Sequence, residues 1–132
     1  MDSVIVFFGE ATFEEVEREA AKYGFSAGTV SSGSKHFYLW RYSKDQVNLE
    51  SEVEELQLLR GALGAEFTSA FQVASRHGAN ARLAIQVVQT LMSTFKPSVL
   101  EDDLGNYWLP EQVASRAESN PEEGIYALRP DA

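Results

Sequence analysis

The succession of hydrophobic patterns predicts an α+β fold: a two-layer sandwich in which a mixed, mostly antiparallel sheet has helices packed on one face. Three observations carry that expectation. Val4–Phe8 is an unbroken β-branched and aromatic run, the pattern of a strand covered on both faces. Residues 12–23 and 80–95 instead repeat apolar side chains at helical spacing. The element order that results, β-α-β-β-α-β-α-β-β-α, sets hairpins beside crossovers and calls for a mixed sheet.

Gly9 ends the first strand. Thr12 and Glu15 form the Thr-x-x-Glu pattern of a capping box. Behind it, Phe13, Val16, Ala20 and Tyr23 fall on one helical face, Glu14 and Arg18 pair on the other, and Gly24 is expected as the left-handed cap. Phe25–Val30 is a weaker, glycine-containing strand, joined through the turn cluster Ser31-Ser32-Gly33-Ser34 to a strong strand at Lys35–Tyr42. Lys44–Asn48 reads as a polar connection. A short acidic helix at Glu50–Gly61 then offers Val53, Leu56 and Leu59 to the core, with Leu63 beyond it.

Phe67–Ser75 alternates as a strand with Phe67, Ser69, Phe71 and Val73 on one side, and Asn80 is positioned to cap the next helix. Ala84, Val87, Val88, Leu91, Met92 and Phe95 give that helix the best-defined apolar stripe in the chain, and Lys96-Pro97 stops it. Ser98–Leu100 and Tyr107–Leu109 are short strands around the turn Asp103-Leu104-Gly105-Asn106, and Pro110 opens a last helix. Residues 1–117 are expected as a single compact α+β domain. Residues 118–132 are expected as a polar C-terminal tail in which Ile125, Tyr126 and Leu128 could dock.

Composition narrows the function. The 132 residues include 11 Lys and Arg against 20 Asp and Glu, a formal charge of -9, so no basic surplus exists to grip nucleic-acid phosphates. The absence of cysteine excludes thiolate metal sites, disulfides and cysteine nucleophiles. Val4–Phe8 is far too short to span a bilayer and has no basic flank for export, so a cytoplasmic protein without a membrane partner is expected.

Catalytic patterns find no footing. No serine sits in a Gly-x-Ser-x-Gly elbow, no glycine motif cradles a phosphate, and the only histidines are His36 and His77. Glu101-Asp102-Asp103 ahead of Gly105 is the most enzyme-like cluster. It lacks the alternating ligand spacing of a calcium loop and reads as a solvated turn. No catalytic, cofactor or metal site is therefore assigned.

The strand at 35–42 says more. Strand alternation puts Phe37, Leu39 and Arg41 on one face and His36, Tyr38, Trp40 and Tyr42 on the other. If helices cover the first face, the second carries amphipathic aromatics of the kind that dominate interfaces. Carboxylates cluster as well: Glu50, Glu52, Glu54 and Glu55 lie close together, and residues 101–132 hold eight acids against Arg116 and Arg129. Such a field steers a basic partner. The expectation is a non-catalytic acidic domain, of inhibitor or immunity type, that blocks a basic protein such as a toxin or nuclease through Tyr38, Trp40, Tyr42, Glu101, Asp102 and Asp103. The alternatives are a homodimeric accessory domain closed through the same sheet face and, further off, a small metal-dependent enzyme.

Overall fold

The computed structural model describes residues 2–128. Seven strands form one sheet: β1 (Asp2–Phe8), β2 (Phe25–Ser26), β3 (Thr29–Ser32), β4 (Lys35–Arg41), β5 (Ser69–Ser75), β6 (Ser98–Glu101) and β7 (Tyr107–Trp108). Five helices accompany it: α1 (Phe13–Ala21), α2 (Lys44–Glu50), α3 (Val53–Leu63), α4 (Ala79–Thr94) and α5 (Pro110–Ser119), with a 3₁₀ turn at Gly124–Ala127. The strand order is β2-β3-β4-β5-β1-β6-β7, and every neighbouring pair is antiparallel. This is the α+β architecture expected. The crossover through α4 joins β5 to β6 without making them neighbours. β5 and β6 run the same way, but β1 lies between them and pairs with both.

That central place suits β1. Val4, Val6 and Phe8 join the larger core with α1, α4 and α5, while Phe7 joins a second core on the opposite side. The second core is built by α2 and α3, whose Val47, Leu59 and Leu63 bury against Phe7, Tyr42, Ala70 and Val99. Helices thus cover one sheet face, as expected, and in addition part of the other. Phe67 belongs to this second side, edge-on to Phe7 at 5.2 Å, rather than in line with Phe71 and Val73.

Local chemistry explains where elements begin. The Thr12–Glu15 capping box forms in both directions, at 3.0 and 3.2 Å. A second box, Ser43 with Gln46, starts α2 where the sequence reads as a plain connection. The acidic helix consequently starts later, at Val53, which is exposed rather than in the core. Phe25–Val30 is interrupted by a two-residue turn in which Ala27 and Gly28 both have positive φ, the requirement of a tight hairpin. Gly24 takes a positive φ three residues past the last residue of α1, where an added Cβ would strike the Ser31 carbonyl. Gly78, not Asn80, caps α4; the Asn80 carboxamide oxygen accepts instead from the His36 backbone N–H at 2.9 Å.

The chain does not end at α5. Ile125 and Leu128 bury in the larger core, and the Tyr126 hydroxyl donates to the Ser75 carbonyl at 2.5 Å. Residues 129–132 of the expected tail lie outside the described residues.

Candidate functional site: an open aromatic sheet face

The strand register sorts the side chains of the half-covered face into rows. Tyr42, Ala70, Phe7 and Val99 lie in the second core beneath α2 and α3. The next row runs Trp40, Gln72, Ile5, Glu101 and Tyr107 across five strands. The third is Thr29, Tyr38, Ala74 and Ser3. Two hydroxyl contacts fix the border of the cover. The Tyr42 hydroxyl donates to the Glu50 carboxylate at the end of α2, and the Tyr107 hydroxyl donates to the Glu55 carbonyl in α3 at 3.4 Å. The bend between α2 and α3 therefore passes above the sheet from the β4 side toward the β7 side.

Beyond that border the aromatic ladder is uncovered. Trp40 is 41% exposed, Tyr38 and His36 are half-buried, and the two larger rings stack at 4.9 Å with an interplanar angle of 20°. His36 meets Tyr38 edge-on at 5.7 Å. The indole leans over the β2–β3 turn, where Gly28 leaves room: a Cβ there would sit 3.0 Å from Trp40 Cδ1. On the other side of β4, Phe37 and Leu39 are buried in the larger core, while Arg41 lies at the rim, pairing with Glu17 at 2.6 Å and stacking over Phe13. The alternation read from the sequence thus separates a core face from an aromatic face.

The six residues expected at the site meet different fates. Tyr38 and Trp40 are available at the surface. Tyr42 is a correction: it is 8% exposed, covered by α2 and committed to Glu50. Asp102 is a second correction, because it is only 4% exposed and organises its own turn. Its Oδ1 accepts from the Leu104 and Asn106 backbone N–H groups and its Oδ2 from Trp108 Nε1, each at 2.9 Å. Asp103 is exposed at the tip of that turn. Glu101 is half-buried in the same row as Trp40, roughly 14 Å away across three strand spacings.

Burial, followed by the charges of Glu55 and Asp102, raises the Glu101 carboxyl above the usual range. Burial, with Glu101 and Glu55 adding, pushes the Tyr107 hydroxyl up to about 12. Among the described residues no three His, Asp or Glu side chains converge to hold a metal ion. His77 stacks flat on Tyr126 at 3.7 Å, whereas His36 belongs to the aromatic ladder.

Two contacts at this face escape the sequence reading. Gln72 stands beside Trp40 and donates to Ser3 Oγ at 3.2 Å, a neighbour that only register could supply. Glu50 holds Tyr42, and its signal was the Ser43-x-x-Gln46 capping pattern that brings α2 over the strand. No helix among the described residues is long and apolar enough to cross a membrane. No family model, curated protein or solved structure matches the chain.

Proposed function

We propose that this is a non-catalytic protein-binding domain that receives a partner with a basic surface on the open sheet face, in the manner of an inhibitor or immunity-type protein that blocks a toxin or nuclease in the cytoplasm. The single observation that carries the reading is the stacked Tyr38–Trp40 pair lying uncovered on a sheet whose opposite face is filled by helices. A rigid aromatic pair gives large contact area at low entropic cost, the usual composition of an interface anchor. Carboxylates supply the complementary field. Glu101 shares the row of Trp40, Asp103 lies beyond it, and the bend bordering the face carries Glu50, Glu52 and Glu55, within a chain of charge -9. An arginine-bearing partner can use both, stacking on the rings and pairing with the acids. The carboxylates around the rings favour protein side chains over stacked bases, whose phosphates they would repel.

The test is affinity capture from the native cell with wild-type protein, with a Tyr38→Ala/Trp40→Ala variant and with a Glu101→Gln/Asp103→Asn variant, read by quantitative mass spectrometry. The reading expects one basic protein retained by the wild type, lost from the aromatic variant and retained more weakly, at raised salt especially, by the neutralised one. Equal retention by all three overturns it. A tight wild-type dimer in sedimentation, dispersed by the aromatic variant, would transfer the face to self-association.

A further inference from the structure

A second concave site lies between α2 and α3, lined by residues that take no part in the aromatic face. It is a cavity of about 260 Å³ bounded by Lys44 and Asn48 from α2, Leu56, Leu59 and Arg60 from α3, and Phe67 from the approach to β5. Its floor is apolar and anchored. Leu59 is buried, Leu56 is half-buried, and Phe67 is held edge-on against the fully buried Phe7.

The rim has the opposite sign to the rest of the molecule. The Lys44 ammonium stands 5.5 Å over the Phe67 ring and, among the described residues, forms no ion pair. Arg60 spends one terminal nitrogen on Glu66 at 2.7 Å, leaving donors of its planar fork for another acceptor. Two cations against one carboxylate at one cavity stand out in a chain with 20 acids and 11 bases.

We infer that this cleft binds a small carboxylate with an apolar body, such as an aryl or short branched-chain acid. The apolar part would cover Leu56, Leu59 and Phe67, and the carboxylate would meet Lys44, Arg60 and the Asn48 amide. The volume falls just below the roughly 300–1,000 Å³ typical of drug-sized ligands, so the occupant is smaller than those. The Glu66 carboxylate at the rim favours a monoanion over a doubly charged phosphate. A cationic amphiphile of the same size would face Lys44 and Arg60. Once seated, the ligand ties α2 and α3 to the segment entering β5.

The test is a titration of methyl-labelled protein with phenylacetate, with phenethylamine as the cationic counterpart, followed by NMR. The expected result is saturable shifts at the Leu56 and Leu59 methyls with half-saturation in about the millimolar range, as befits so few ligand atoms. Lys44→Ala should weaken binding roughly threefold or more and Arg60→Glu should abolish saturation, both residues being solvent-exposed, while Trp40→Ala leaves it unchanged. Absence of saturable shifts with phenylacetate, or equal binding of phenethylamine, overturns the inference. Neither result bears on partner capture by the aromatic face, so the two readings fail separately.

Discussion

Removing the Asp102 carboxylate should unfold the β6–β7 turn rather than merely discharge a surface. The side chain is 4% exposed and accepts three hydrogen bonds of 2.9 Å, two from turn backbone and one from the Trp108 indole. Hydrogen bonds to a charged group contribute about 1.5–3 kcal/mol each when fully buried. Leu104 and Asn106 are exposed, so their N–H groups regain water when the acceptor is lost and each costs only about 0.5–1 kcal/mol. The half-buried indole N–H recovers less, and costs about 1–2 kcal/mol. Asp102→Ala therefore loses about 3 kcal/mol. Asp102→Asn can keep the two turn bonds through its oxygen, but its amide then faces the indole donor to donor, costing about 1.5 kcal/mol. In urea melts, with a slope of about 1.5 kcal/mol per molar, these become midpoint decreases of about 2 M and 1 M. An Asp102→Ala midpoint equal to wild type at unchanged slope would refute the reasoning. It would also return Asp102 to the set of contact residues.

Other perturbations follow from the same geometry. Gly124 has a φ of +58°, and a Cβ there would run into the Ala81–Arg82 backbone of α4. Gly124→Ala should undock the C-terminal turn with Ile125 and Leu128, costing about 2–4 kcal/mol and exposing that segment to hydrogen exchange; unchanged melting and protection would contradict this. Thr12→Ala should cost about 1 kcal/mol by opening the α1 capping box, measured as a urea midpoint shift. Glu101 has its carboxyl raised in the folded protein, so its favourable contribution is complete below its unfolded value near 4.5 and disappears as pH rises through the raised value. Glu101→Gln should accordingly be more stable than wild type at pH 7, by about 0.5 kcal/mol after solvent screening, and gain nothing near pH 4. A variant gain at pH 4 that vanishes at pH 7 would show the sign to be wrong.

How far the sequence reaches can be judged from β1, β4 and α2. The unbroken run Val4–Phe8 announces burial on both sides, and β1 indeed feeds two cores. Alternation in β4 separates Phe37 and Leu39 from Tyr38 and Trp40 because side chains on a strand take opposite faces whatever the topology. What covers those faces is decided by remote segments. α2 is polar enough to pass for a connection, yet its capping box forms a helix that places Val47 and Glu50 over Tyr42. The insertion of β1 between β5 and β6 is likewise a pairing across distant residues, invisible to local periodicity. Asp102 shows the same limit at the site. Three consecutive acids look alike in a linear chain, and only the turn closed by Asn106 and the position of Trp108 bury the middle one. The α2–α3 cleft also depends on two helices meeting, so Lys44, Arg60 and Phe67 carry no shared signal along the chain.

The most direct measurement is the affinity of the captured partner for wild-type protein and for Trp40→Ala, each first shown to share the same urea midpoint. An exposed indole that anchors an interface should cost about tenfold or more in dissociation constant when removed, with folding stability intact. Equal affinity of the two proteins for that partner would contradict the account, leaving the open aromatic face without the role assigned to it.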